Sequence, residues 1–149
     1  KPGENLRWIW NLDGVRRVLF NLPKIVANPD APVIICEGEK DACSVTALGH
    51  IGTTNCGGCG MGWHQDYSKV LRGRRVVVIP DNDTAGYRRA DEIVGSCLRH
   101  GAASVRCVSL EVLPEHGDIT DWLAMFEGQD QAAVFASLVK VYPRLGVVA

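Results

Sequence analysis

Apolar and polar residues follow two alternating patterns along the chain. Short, mainly apolar runs predict strands, and a run that is apolar throughout predicts a strand covered on both faces. Apolar residues spaced three and four apart predict helices with one buried face. The predicted strands are residues 33–36, 51–54, 76–79 and 105–109. The predicted helices are residues 40–48, 63–71, 84–100, 119–126 and 131–140.

This alternation predicts an α/β fold, because right-handed crossovers through helices place successive strands parallel in one sheet. We expect residues 31–149 to form an open, mainly parallel sheet of four strands with helices on both faces. Ligands of such sheets bind at the carboxyl ends of the strands. Residues 1–30 are predicted to be an N-terminal linker with a short β-hairpin, whose strands 6–10 and 15–20 flank an Asp13-Gly14 turn.

The overall charge narrows the function only a little. A formal net charge of −1 over 149 residues excludes a strongly basic coat protein, so any nucleic-acid contact must come from a local patch. No run is long and apolar enough to span a membrane and no signal segment opens the chain, which predicts a cytoplasmic protein. The first residue is Lys1 rather than Met, so we expect a fragment of a longer polypeptide.

The six cysteines are expected to be reduced, because Cys36, Cys97 and Cys107 stand within apolar patterns typical of buried thiols. Cys56 and Cys59 have the spacing of half a zinc site. A second pair with this spacing is missing, which favours a loop without zinc.

Acidic residues stand just past the ends of three predicted strands. Glu37 follows the first strand, Asp81 and Asp83 follow the third, and Asp118 and Asp121 lie in the loop after the last. Because the carboxyl ends of parallel strands share one edge of a sheet, these side chains are predicted to lie close together.

Like charges held together need a cation or protons to offset their repulsion. Two of them about 4 Å apart repel by about 4 kcal/mol at an effective dielectric of about 20. Oxygen ligands without His or Cys suit a hard ion such as Mg²⁺, which points to phosphoryl chemistry. The alternative is that each acid is structural; Asp83 or Thr84, for example, could cap the helix that begins there.

Three short motifs resemble those of Toprim domains, which are shared by bacterial primases, topoisomerases and some nucleases. They are EGEKDA at 37–42, DNDTAG at 81–86 and GDITDW at 117–122, and the loop TTNCGG at 53–58 is similar to that of primase-type members. The order and spacing of these motifs are typical of Toprim domains, and within the family the sequence is most similar to the primase-like proteins of phages and mobile elements. Residues 8–23 also resemble the segment that joins a zinc module to the Toprim core in those proteins.

The resemblance implies a Rossmann-like Toprim fold and a role for each motif residue. Glu37 would be the general acid or base, while Asp81 and Asp83 would hold Mg²⁺ or Mn²⁺ with help from Asp41 or Asp118. Glu37 is also included in the predicted metal-binding set. Supporting roles fall to Asp121, Gly38 and Gly86. Apart from the resemblance, Arg88 and Arg89 stand on the first turns of the helix beside Asp83 and, with Lys40, are predicted to contact phosphates.

The implied function is that of a DNA primase-like nucleotidyltransferase that joins ribonucleotides on a single-stranded DNA template. Its partners would be that template, nucleoside triphosphates and a replicative helicase. The alternatives are strand cleavage of the nuclease or topoisomerase type, and a metal-binding tether between DNA and helicase without catalysis. Trp8, Trp10 and Phe20 could stack on single-stranded DNA, although packing of the N-terminal piece is the favoured interpretation.

Overall fold

Four parallel strands form one sheet in the computed structural model, which describes residues 14–57 and 60–141. The strands are β1 (Val33–Cys36), β2 (Ile51–Thr53), β3 (Arg75–Ile79) and β4 (Ser104–Cys107). Their order across the sheet is β2-β1-β3-β4, and Cys36 at the end of β1 is paired with Ile79 at the end of β3. The predicted open parallel sheet is confirmed, and its two central strands end side by side.

Six helices connect and flank these strands within the described residues. They are α1 (Leu22–Ala27), α2 (Glu39–Ala47), α3 (Gln65–Val70), α4 (Thr84–Arg99), α5 (Ile119–Ala124) and α6 (Gln131–Val141). Five of them agree with the sequence pattern to within two residues at each end. The exception is α1, which the pattern did not predict.

Apolar side chains leave the strands alternately toward two separate cores. Ile35 and Val78 lie in one cluster together with Ile93 of α4. Ile34 and Val77, one position earlier on the same strands, lie in the other cluster. That second cluster includes side chains of α5 and α6. Helices therefore cover both faces, which explains why β1 and β3 are apolar at almost every position.

The N-terminal segment differs from the predicted hairpin. No strand forms over residues 15–20, because only Leu19 makes a bridge, antiparallel to Asn55 two residues past the end of β2. Val15 and Val18 are exposed, whereas Leu19 is buried and the Phe20 N–H donates to Thr54 O at 2.9 Å. The predicted strand 15–20 is therefore wrong, and strand 6–10 lies outside the described residues. The boundary between residues 30 and 31 stays a prediction.

Two expectations about the chain as a whole can be compared with the described residues. The cysteines at positions 36, 43, 56, 97 and 107 are free thiols, as predicted, and Cys59 lies outside this part of the chain. None of the described helices is both long enough and apolar enough to cross a membrane.

Candidate functional site

The acidic residues meet at the carboxyl edge of the sheet. Glu37 follows β1 and Asp81 follows β3, and these strands are neighbours whose last residues are paired. Asp41 comes from the first turn of α2, and Asp118 stands just before α5. The convergence shows in the pKa of Asp81, which burial raises to about 7 with further contributions from Glu37, Asp41, Asp118 and Asp83.

Asp81 is a half-buried carboxyl group without a partner. Among the described residues, nothing donates a hydrogen bond to its carboxylate or forms an ion pair with it. The first turn of α4 crosses directly behind it, since a Cβ at Gly86 would lie only 2.5 Å from Asp81 O. Glycine at position 86 is therefore required for this close backbone approach, as predicted.

Glu37 is the second acid without a partner at this edge. Its Oε2 is buried and accepts no hydrogen bond from any described residue. Its backbone oxygen accepts from Thr54 Oγ1 at 3.0 Å, which fixes the start of the β1–α2 connection. An unsatisfied buried polar atom costs about 1–3 kcal/mol, and more when it is charged. Glu37 and Asp81 thus leave carboxylate oxygens open to a cation.

Asp83 is different, because both of its oxygens are already engaged. As the N-cap of α4, it accepts from the Gly86 N–H at 2.7 Å through Oδ1. Its Oδ2 lies 2.8 Å from Nδ1 of His116. These two bonds, first the one from Gly86, hold the pKa of Asp83 below its ordinary value. The capping role considered from the sequence is therefore present, and metal binding by Asp83 stays a prediction.

Both carboxylate oxygens of Asp118 are likewise engaged by partners. Its Oδ1 accepts from the Asp121 N–H at 2.8 Å, and the Asp118 N–H donates to Asp121 Oδ2, which completes a capping box on α5. Oδ2 lies 2.5 Å from Nζ of Lys40. Burial alone would raise the pKa of Asp118, but the bonds from Lys40 and the Asp121 backbone bring it below the ordinary value. Asp121 supports the site through this cap.

Asp41 is buried beneath these groups. Thr120 Oγ1 donates to Asp41 Oδ1 at 2.7 Å, and burial is the main reason why the pKa of Asp41 is raised. A Cβ at Gly38 would stand 3.4 Å from Asp41 Oδ2, which is an ordinary contact. The Gly38 backbone is extended, so no close contact among the described residues requires glycine there, and its supporting role stays a prediction.

The three residues that were predicted to contact phosphates have different environments in the structure. Arg89 faces inward, is 9% exposed, and donates through Nη2 to Asn55 Oδ1, so it holds the loop after β2 rather than facing solvent. The reason is helical spacing, since Arg89 lies on the same face of α4 as the buried Gly86 and Ile93. Arg88 is exposed. Lys40 is exposed but bonded to Asp118.

Two residues of this edge were missed or underrated from the sequence. Asn82 donates from Nδ2 to Leu113 O at 2.7 Å and from its backbone N–H to Gly117 O at 2.8 Å, so it fastens the loop that carries Asp118. His116 lies in the left-handed region at φ 64°, where non-glycine residues are uncommon. Its Nδ1 lies 2.8 Å from Asp83 Oδ2, although the side chain is 75% exposed.

The described carboxylates do not converge on a single point that an ion could occupy. Within residues 14–57 and 60–141, no group of three or more His, Cys, Asp or Glu side chains is assembled closely enough to hold an ion. Three of the acids instead have a partner each: Asp118 is bonded to Lys40, Asp41 to Thr120 and Asp83 to His116. The open pair, Glu37 and Asp81, is what remains for a cation, and Mg²⁺ is commonly held by one or two carboxylates together with substrate phosphates.

These features define the class of protein: a Rossmann-like α/β domain with converging acids at the carboxyl ends of its two central strands. Residues 34–123, more than half of the chain, match the family described as Toprim-like. The chain belongs to this Toprim family, and the matched region includes Glu37 and all the acids described above. No curated protein and no solved structure matches the chain significantly. Toprim domains typically bind Mg²⁺ and are often catalytic in nucleic-acid enzymes.

Proposed function

We propose that this Toprim domain catalyses Mg²⁺-dependent nucleotidyl transfer in a DNA primase-like replication protein, joining ribonucleotides on single-stranded DNA. The observation that carries the proposal is a pair of carboxyl groups, Glu37 and Asp81, that follow adjacent strands and have no partner among the described residues. Their mutual repulsion helps raise the pKa of Asp81 to about 7, which a divalent cation would reverse. This is the electrostatic environment expected of a pair of metal ligands rather than of two structural acids.

Glu37 and Asp81 would hold the ion, with Asp83 and Asp118 contributing only if the bonds from His116 and Lys40 are released. When bound, Mg²⁺ would offset the negative charge that develops on the transferred phosphoryl group. Ion binding requires Asp81 to lose its proton, since only the carboxylate is a ligand. Lys40 and Arg88 lie at or beside this edge, and they are the cations placed to contact triphosphate oxygens.

Glu37 has the position of a general base. Its Oε2 is buried without a donor among the described residues, so it can accept the proton of an attacking hydroxyl group that is brought within hydrogen-bond distance. The remaining acids would support the reaction by holding the structure around the site. Asp83 and Asp118 fix the first turns of α4 and α5, and these turns frame the edge at which template and nucleotide would meet.

Primer synthesis on single-stranded DNA with ribonucleoside triphosphates and Mg²⁺ tests this function. We expect Glu37→Gln to lower synthesis by at least about a hundredfold, because removal of a general base typically costs that much. Glu39→Gln is the matched control, since Glu39 is an exposed acid two residues away. Synthesis that is equal in the two variants would remove Glu37 from the reaction. Because the natural protein can be longer than this chain, the same pair should be compared in it, with and without its helicase.

The same experiment separates the alternative functions. A nuclease would cleave DNA in the presence of Mg²⁺ without nucleotides, and a tether would bind DNA and do neither reaction. A topoisomerase needs a nucleophilic tyrosine. Of the tyrosines in the described ranges, Tyr67 is buried and Tyr87 donates its hydroxyl to Asn82 Oδ1 at 2.6 Å, so neither is presented to a phosphate. These contacts support transfer over a topoisomerase reaction carried by this chain.

A further inference from the structure

A cavity lies at the edge of the sheet opposite the acidic residues. It is bounded by the starts of β1, β3 and β4 and by the last turns of α6, and its volume is about 250 Å³. Because the two sites are at opposite ends of the strands, a ligand here would not touch Glu37 or Asp81. The volume is somewhat below the range of about 300–1,000 Å³ that is usual for drug-sized ligands.

The lining combines an apolar floor with a cationic rim. Ile34 and Val77 of the sheet and Val139 of α6 form the apolar part. The charged residues that line the cavity are all cationic, namely Arg75, Arg106 and Lys140. In a chain of net charge −1, three cations around one cavity, with no carboxylate among its described lining residues, form a distinctly positive site.

The two guanidinium groups have donors to spare. Arg75 donates from Nη2 to Asp30 O at 2.8 Å, and Arg106 donates from Nη1 to Val139 O at 3.2 Å. These are the hydrogen bonds that each side chain makes with described residues, although a guanidinium group has five N–H donors. The bonds also restrain both guanidinium groups, so the rim is positioned before a ligand arrives. Such forks suit phosphate or carboxylate oxygens.

One wall of the cavity is aromatic. The His50 ring, which lines it, packs on Phe135 of the adjacent core with ring centroids 5.0 Å apart. Burial lowers the pKa of His50, so near neutral pH this ring is an uncharged, flat surface and does not add to the cationic rim. A flat apolar group could stack there while its anionic group reaches the arginines.

From this arrangement we infer that the cavity binds a compact organic anion, in which a flat apolar body lies against His50, Ile34 and Val139 and a phosphate or carboxylate meets Arg75, Arg106 and Lys140. Mononucleotides and aromatic carboxylates share this chemistry. The inference does not depend on the proposed nucleotidyl transfer, because it rests on residues at the other edge of the sheet.

Binding can be followed by the fluorescence of 8-anilinonaphthalene-1-sulfonate, an anion with an apolar aromatic body, and by its displacement. We expect one bound probe per chain, displaced by adenosine monophosphate or by benzoate. Displacement by only one of these two compounds would show which kind of apolar group, a nucleoside or a benzene ring, the cavity accepts. Inorganic phosphate and adenosine, which each have half of the required chemistry, should displace it at least about tenfold less well.

Variants locate the site. Arg106→Gln should weaken probe binding about tenfold, and Ala136→Phe, which fills the cavity from α6, should abolish it. Arg72→Gln removes an exposed positive charge that does not line the cavity and should have no effect. Asp81→Asn should also leave binding unchanged, which separates this site from the acidic edge. Probe binding that survives both Arg106→Gln and Ala136→Phe, or displacement by phosphate as strong as by adenosine monophosphate, would overturn the inference.

Discussion

Replacement of Asp81 by Asn should stabilise the metal-free protein at alkaline pH. The carboxyl group is half-buried among four other acids and has no partner in the described structure, so its ionised form is unfavourable in the folded state. Its pKa of about 7 lies above the value of about 3.9 expected in the unfolded chain. A raised folded-state pKa means that stability is highest below pH 4 and is lost as the pH rises to about 7.

The size of the effect follows from the same difference. A gap between about 7 and 3.8 corresponds to about 4 kcal/mol at 1.36 kcal/mol per pKa unit, as an upper bound. Because the group is only half-buried, solvent screening reduces this figure, and we expect about 2 kcal/mol. At pH 8, Asp81→Asn should therefore raise the free energy of unfolding by about 2 kcal/mol, or the melting temperature by about 4–8 °C.

Urea unfolding at two pH values measures this directly. The gain should shrink to less than half at pH 5, where the folded wild-type protein has already taken up the proton. Asp30→Asn, which neutralises an exposed acid at the opposite edge, should change stability by less than about 0.5 kcal/mol at either pH. If Asp81→Asn destabilises the protein at pH 8, or stabilises it equally at both pH values, the proposed electrostatic environment of Asp81 is wrong.

Three further results are expected. Binding of Mg²⁺ at pH 6.5 should release up to about one proton, seen in calorimetry as an enthalpy that varies with the buffer, and Asp81→Asn should abolish the release. Gly86→Ala should lower the free energy of unfolding by about 1–3 kcal/mol, because the new Cβ would meet Asp81 O at 2.5 Å; an unchanged urea midpoint would contradict this. Asp118→Ala should cost about 1–2 kcal/mol through loss of the α5 cap, whereas Asp118→Asn should cost clearly less in the same assay because Asn also caps helices.

The sequence predicted the elements that local pattern determines and missed those that depend on distant contacts. The four apolar runs are strands because alternate side chains enter two cores, and burial on both faces leaves little choice of residue type. Helix α1 contributes one buried side chain, Ile25, and is held by Arg74, whose Nη1 donates to Ile25 O at 3.0 Å across 49 positions. The pairing of Leu19 with Asn55 also spans distant positions. Neither contact leaves a periodic pattern in the sequence.

The candidate site shows the same division. That acids gather at one edge could be predicted, because parallel strands end together and their following residues must share that edge. Which acids are already bonded could not be predicted. Asp118 meets Lys40 from 78 positions away, and Asp83 meets His116 from 33 positions away. Arg89 was predicted to contact phosphates, whereas its place in the α4 spacing directs it inward toward Asn55.

The bonded and open acids are therefore not equivalent, although all belong to the matched motifs. Asp83 and Asp118 each cap a helix, so their loss should appear first in stability. Glu37 and Asp81 cap nothing, and their carboxyl groups accept no hydrogen bond from the described residues, so their loss should appear first in ion affinity. Asp81→Asn should thus raise the stability and lower the Mg²⁺ affinity. The substitution removes a charge that repels its neighbours, and it also removes a metal ligand. An acid that served only the fold would lower stability when neutralised.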